Sequence, residues 1–306
     1  MPGLETAMLA TGFFGNDKIV SLRKPKPRWK QSRTAAWFQD VIFALVCRKK
    51  IRSFQPTKPN SISVMIVDIF IPCFVDQVAP QIGFDMVKVL EKAGCQVNYN
   101  PGQTCCGQPA FNAGYFDNAR QVAVKFLKDF PDANRYVVMP SASCAGMVRN
   151  SYEMLFPKES PQHADYLRLA KNTYEFTEFL VDVLGISAIA GAKLPGLATY
   201  HDSCSALREC QIKDAPRQLL QNVEGLKLRE LKESGTCCGF GGTFAVKFQA
   251  ISVGMGEQKV QDALATGAEY LISTDYSCLM HLDAYIQKNK LPIKTMHIAE
   301  VLASGW

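Results

Sequence analysis

Two sets of four cysteines, in the same order and at nearly the same spacing, constrain this chain more than any other feature of its sequence. In the first, 31 residues separate Cys73 from Cys105-Cys106-Gly107, and 37 separate Cys106 from Cys144. In the second, 32 residues separate Cys204 from Cys237-Cys238-Gly239, and 39 separate Cys238 from Cys278. Equivalent members are offset by 131, 132, 132 and 134 residues. A repeat of that length is too long for a solenoid unit and fits a duplicated domain.

The pattern between the cysteines repeats as well. The apolar run Ile66 to Ile71 leads into Pro72-Cys73. Val78, Ile82, Met86, Val89 and Leu90 then recur at helical spacing until Gly94, and a short strand, Gln96 to Tyr99, precedes Cys105. A helix over 118–130 ends at Pro131, and a strand from Tyr136 to Met139 delivers Pro140-Ser141-Ala142-Ser143-Cys144. The second half offers strands Leu197 to His201, Leu226 to Glu230 and Tyr270 to Ser273, with a helical pattern from Val253 to Ala265. Tyr152 to Leu184 reads as connecting helices. Strand–helix–strand alternation implies parallel strands with right-handed crossovers. The expected fold class is α/β: two repeated Rossmann-like βα halves with parallel sheets, cysteines at the strand carboxyl ends, and an irregular N-terminal extension. The expected boundaries are an extension over 1–64 and cysteine-rich repeats over 65–185, with connecting helices, and 186–306.

Charge is unevenly placed. The net charge of 306 residues is +6, but the first 64 carry twelve Lys or Arg against Glu5, Asp17 and Asp40, which leaves the remainder mildly acidic. A basic nucleic-acid surface is therefore not a property of the repeated body. No run of 18 apolar residues exists, so no transmembrane helix is expected. The extension has no secretory layout. It reads as a disordered or peripheral tail, or as an over-long translation with Met65 as the working start. Eleven cysteines without a signal peptide suit reduced thiolates in the cytoplasm better than a disulfide scaffold.

Thiolates are soft ligands that select iron–sulfur clusters, zinc or Cu(I). Adjacent cysteines diverge along the backbone and can address different irons of one core. Gly107 and Gly239 permit unusual dihedrals and let backbone N–H groups approach the sulfurs, contacts that tune a cluster. Paired Cys₄ zinc sites remain the alternative, although zinc usually uses closely spaced Cys-x₂-Cys knuckles, which are missing here. Cys47, Cys95 and Cys210 have no counterparts: Cys95 reads as packing and Cys210 as a spare or exchangeable thiol. His201 reads as a strand-end histidine satisfied by hydrogen bonds, with ligation or proton carriage as the sharper alternative. His281 lies one helical turn beyond Cys278, and His163 and His297 read as surface or packing residues. Phe111, Tyr115, Phe244 and Phe248 read as core or as a partner surface. The Phe240-Gly241-Gly242-Thr243 run reads as close backbone packing, and no dinucleotide or hydrolase motif accompanies it.

The strings Ile71-Pro72-Cys73-Phe74-Val75-Asp76-Gln77, Thr104-Cys105-Cys106-Gly107-Gln108-Pro109, Pro140-Ser141-Ala142-Ser143-Cys144, Cys237-Cys238-Gly239-Phe240-Gly241-Gly242-Thr243-Phe244 and Ser277-Cys278-Leu279-Met280-His281 resemble the cysteine-rich (CCG) domain family, within it the lactate utilization protein A group. The resemblance covers about residues 65–306. It implies a [4Fe-4S] cluster in each repeat, held by Cys73, Cys105, Cys106 and Cys144 and by Cys204, Cys237, Cys238 and Cys278. It also implies a cytoplasmic electron-transfer subunit that works with a ferredoxin-like iron–sulfur partner and a third lactate-utilization protein in oxidising L-lactate to pyruvate. Peripheral membrane contact would come through that complex. Glycolate oxidase and anaerobic glycerol-3-phosphate dehydrogenase iron–sulfur subunits are similar, as is the heterodisulfide reductase B subunit. The last carries a further cysteine in each half, where this chain has Ser141 and Asp275. That departure disfavours disulfide cleavage, and it leaves Ser141 and Asp275 to be read as hydrogen-bonding neighbours of the sites, with an oxygen ligand from either as the alternative.

Overall fold

The computed structural model describes residues 64–306. The extension read over 1–64, with Cys47, lies outside the described residues save for Val64. Eight short strands form two sheets: β1 Ile66–Ile69, β2 Gln96–Tyr99, β3 Tyr136–Met139 and β4 Thr173–Glu175 in one, and β5 Lys193–Tyr200, β6 Glu224–Leu228, β7 Tyr270–Ser273 and β8 Lys294–His297 in the other. Both are wholly parallel, in the orders β2-β1-β3-β4 and β6-β5-β7-β8. The fold is α/β, as the alternation predicts.

The order places the functional loops. From β1 the chain crosses helix Pro80–Lys92 to β2 on one side, then crosses helix Phe116–Asp129 to β3 on the other. The winding direction therefore reverses between β1 and β3, and likewise between β5 and β7. Parallel α/β sheets open a crevice at such a reversal. Cys73 follows β1 and Cys144 follows β3; Cys204 follows β5 and Cys278 follows β7.

Two strands escape the sequence reading, and both extend a sheet. β4 lies within the segment read as connecting helices, between helix His163–Asn172 and the helical turn Phe176–Glu178. β8 pairs with β7 from Tyr270↔Lys294 to Ser273↔His297. β4 has three residues, one a buried glutamate that masks it as polar, and β8, Lys294-Thr295-Met296-His297, carries a single apolar residue.

The halves share a core. Val67, Ile69 and Val138 of the first pack with Ala198, Tyr200, Leu219 and Ile298 of the second. Helix Pro80–Lys92 lies on helix Ile298–Leu302. Phe70, Phe126, Phe130 and Met139 form a second cluster, and Val260, Leu271 and Leu282 a third. No helix among the described residues is long and apolar enough to cross a membrane.

Buried polar groups tie the halves together. His297, read as surface or packing, is fully buried: its Nδ1 accepts from the Ala299 N–H at 3.1 Å, so its Nε2 donates to Pro140 O at 3.2 Å and Thr274 O at 3.1 Å. Glu175 accepts from the Thr177 N–H at 2.8 Å, the Glu178 N–H at 3.2 Å and the Thr274 hydroxyl. Burial nevertheless pushes the Glu175 carboxyl up to about 7, against those hydrogen bonds, from an ordinary 4.5. A carboxyl raised in the folded state contributes stability fully below its unfolded value and loses it as pH climbs through the folded one. Stability should therefore fall by about 3 kcal/mol between roughly pH 4.5 and pH 7.5 on this group's account. Urea midpoints measured across that window should slope downward, and Glu175→Gln should flatten the slope whatever its effect on absolute stability.

Candidate metal centres

All eight cysteines shared by the repeats line one cavity of about 230 Å³, along with Ser141, Ser143 and Asp275. Within the first set, Cys73 Sγ lies 3.9 Å from Cys105 Sγ, and Cys106 Sγ lies 3.3 Å from Cys144 Sγ. The second set converges in the same way. All four are free thiols, and Cys204 lies close enough to Cys237 and Cys278, and Cys238 to Cys237 and Cys278, for each to shift the other's ionisation. Each set is built from a helix start after one inner strand, the Cys-Cys-Gly loop after an edge strand, and a helix start after the other inner strand.

The glycines act through backbone. Gly107 and Gly239 sit at φ of 86° and 92°, which side-chain-bearing residues rarely adopt. At the same turns the Gly107 N–H donates to Cys105 Sγ at 3.3 Å and the Gly239 N–H to Cys237 Sγ at 3.4 Å. The Phe240 N–H reaches Cys238 Sγ at 3.5 Å.

Crowding sets the ionisation. Cys105 is held well below an ordinary thiol by hydrogen bonds from Cys106 and Cys73 and by the Gly107 N–H, and Cys237 by Cys204, Cys238 and the Gly239 N–H. Donation to those same sulfurs, followed by burial, pushes Cys73, Cys106, Cys204 and Cys238 up. Each set thus resists gathering negative charge on its own. Four close thiolates require a cation among them, so this donor set fits a positively charged, thiophilic group.

Ser141 and Asp275, the positions of the missing fifth cysteines, meet each other between the sets. Asp275 is buried and accepts from the Ser143 N–H at 2.9 Å, the Ser277 hydroxyl at 2.8 Å and, more loosely, the Ser143 and Ser141 hydroxyls at 3.3 and 3.5 Å. Burial raises its carboxyl and the hydrogen bonds partly restore it.

His201 departs from its reading. It is fully buried, and neither ring nitrogen has a hydrogen-bond partner. Leaving a buried polar atom unpaired costs about 1–3 kcal/mol. Its ring nitrogens and the sulfurs of Cys238 and Cys278 include donor atoms all within 4.8 Å of one another. Burial, then the nearby Lys259, press the ring down to about 3, so it is neutral. Lys259, which the sequence reading did not single out, is itself buried and donates to Glu233 O and to Ser234 O at 3.4 Å, in the approach to Cys237.

Among the described residues, the unmatched cysteines Cys95 and Cys210 are packing. Cys95 lies in the shared core. Cys210, read as exchangeable, is buried, pushed up to about 12 by that burial, and donates weakly to Ala142 O at 3.6 Å. Of the four aromatics read as core or partner surface, Tyr115 and Phe248 are exposed and Phe111 and Phe244 are partly buried.

A duplicated parallel α/β scaffold with a thiol quartet in each half defines a class, and comparison with known proteins gives the same one. The cysteine-rich domain profile (CCG) matches twice, over residues 67–149 and 198–283, and the chain belongs to this family. Over 241 residues it is 45% identical to Lactate utilization protein A 1 of Bacillus cereus (strain AH820), spanning 78% of this chain and 99% of that relative. Lactate utilization protein A of Bacillus thuringiensis (strain Al Hakam) matches with the same identity and coverage. Among solved structures, a hypothetical protein from Helicobacter pylori superposes with a TM-score of 0.55 at 13% identity. That match covers 90% of this chain and 55% of the other, and it shows the fold alone.

Proposed function

We propose that the chain is an iron–sulfur electron-transfer subunit of a cytoplasmic, multi-subunit oxidoreductase that oxidises L-lactate to pyruvate. The observation that carries this reading is the gathering of four thiols in each half around one cavity. The lactate assignment is supported by relatives that share 45% identity and whose names refer to lactate utilization.

On this reading Cys73, Cys105, Cys106 and Cys144 hold one [4Fe-4S] cluster, and Cys204, Cys237, Cys238 and Cys278 hold the other. The repeats 65–185 and 186–306 contribute one centre apiece. A bound cluster supplies reversible single-electron transfer. The chain's own part is to neutralise and shield. The Gly107, Gly239 and Phe240 N–H groups oppose charge on the sulfurs, and buried Asp275 with Ser141 and Ser143 fixes the ground between the sites. With oxygen donors where a fifth cysteine would stand, the sites suit electron relay rather than disulfide cleavage. The partners are a ferredoxin-like iron–sulfur subunit and a third protein of the same system, with any membrane contact made through them.

Protein purified without oxygen should be brown and contain iron with acid-labile sulfide. Cys106→Ser or Cys238→Ser should each remove roughly half of the iron, since each disables one of two cysteine-ligated clusters. Zinc without sulfide, or unchanged iron in both variants, would overturn the assignment.

A further inference from the structure

The two repeats are not equivalent at the residue that closes the floor of each thiol set. The offset of 131 that relates Cys73 to Cys204 also relates Phe70 to His201. Phe70 is fully buried in the cluster that also holds Cys106 and Cys144, with its ring 4.8 Å from Phe126 and 6.2 Å from Phe130. His201 takes the same place in the second repeat, equally buried, with two nitrogens and no protein group to receive either. Beneath it, helix Gln249–Ala265 supplies the cation Lys259, where the first repeat's helix Phe116–Asp129 supplies Phe126.

A fully buried imidazole without a partner is rare, because the ring carries an N–H and a lone pair that both want one. Among the described residues, four buried side-chain polar atoms lack a partner, and His201 holds two of them. A nitrogen of its ring and the sulfurs of Cys238 and Cys278, two members of the second set, all lie within 4.8 Å of one another. The first set has four thiols above an aromatic floor. The second has four thiols above a nitrogen donor and an ammonium.

Building on the iron–sulfur reading above, we infer that a ring nitrogen of His201 contacts the second centre, making it chemically unlike the first and the better electron acceptor of the two. The contact takes one of two forms: the N–H donates to a sulfur, or the lone pair binds iron. Either reduces the negative charge that an added electron meets, as does Lys259. Electrons entering at Cys73, Cys105, Cys106 and Cys144 would therefore run downhill to Cys204, Cys237, Cys238 and Cys278.

The test uses the full chain, anaerobically purified, with ¹⁵N-labelled histidine and pulsed EPR of the reduced protein. One of the two centres should show histidine nitrogen coupling, strong for an iron bond and weak for a hydrogen bond, and the other none. His201→Phe, which copies the first repeat, should abolish that coupling. It should also make the second centre at least tenfold harder to reduce at a fixed potential, about 59 mV for a single electron, and leave the first unmoved. His201→Asn, which keeps an amide N–H, should recover part of the shift if the contact is a hydrogen bond. Iron-loaded protein with no histidine coupling at either centre overturns the His201 inference and leaves the iron–sulfur reading intact. Protein that takes up no iron and sulfide overturns both. Should the phenylalanine variant not fold, the coupling in the unsubstituted protein decides alone.

Discussion

Arg217→Ala should destabilise the protein by about 3–5 kcal/mol, although Arg217 touches no cysteine. Its guanidinium grips Asp202 with both ends, NH1 to Oδ1 at 2.9 Å and NH2 to Oδ2 at 2.8 Å, and reaches Glu230 at 2.8 Å from Nε. Exposed pairs of this kind contribute about 0–1 kcal/mol. Burial decides against that figure here, because the Asp202 side chain is 1% exposed and that of Arg217 12%. Removing the cation leaves a buried carboxylate unpaired, and such losses run at about 3–5 kcal/mol. Asp202 stands between His201 and Cys204, so the same change loosens the loop that carries a thiol. Arg217→Lys should restore little, since an ammonium cannot make two forked contacts. Urea denaturation is the measurement, and adding Asp202→Asn to Arg217→Ala should recover stability, because it removes the orphaned charge. A loss within about 0.5 kcal/mol, the range of ordinary surface changes, would show that the pair is not buried in solution.

How far these sites could be read without coordinates depended on what the repeat preserved. The cysteine spacing survives duplication, so eight thiols that line one cavity were all legible. Strands β2, β3 and β7 were legible to the residue, because each is a short β-prone run ahead of a loop. What duplication altered was hidden. His201 sits at a strand end, where backbone partners are usual, and only the packed surroundings reveal that it has none. Lys259 lies on a helix whose polar residues look solvent-facing in sequence, yet it is 1% exposed and donates to Glu233 O and Ser234 O. Glu175 falls in a segment that reads as connecting helices and His297 reads as surface or packing, but both are polar joints between halves that share a core. Burial of this kind depends on the partner half, and periodicity within one half carries no record of it.

The two Cys-Cys-Gly turns should respond unequally to the same substitution, with Gly239→Ala costing about 2–5 kcal/mol and Gly107→Ala about 1–2. Both glycines have positive φ, and forcing an L-residue there costs about 1–2 kcal/mol. The turns differ in what lies above them. A methyl at Gly239 would fall 2.5 Å from Ser252 O and 2.8 Å from Met255 Cβ, whereas at Gly107 its closest neighbour would be Ala119 O at 3.2 Å. The first is a collision with helix backbone that no rotamer relieves, and overpacking of this sort adds about 1–3 kcal/mol. Ser252 also donates to Gly239 O at 2.7 Å, so pushing the turn off helix Gln249–Ala265 breaks a buried hydrogen bond. The displaced turn carries the Gly239 N–H away from Cys237 Sγ. Gly239→Ala should therefore lower iron at the second centre as well as the denaturation midpoint, while Gly107→Ala should lower the midpoint modestly with iron retained. Equal losses in the two variants would mean that positive φ alone governs these turns and that the closer approach of the second helix contributes nothing.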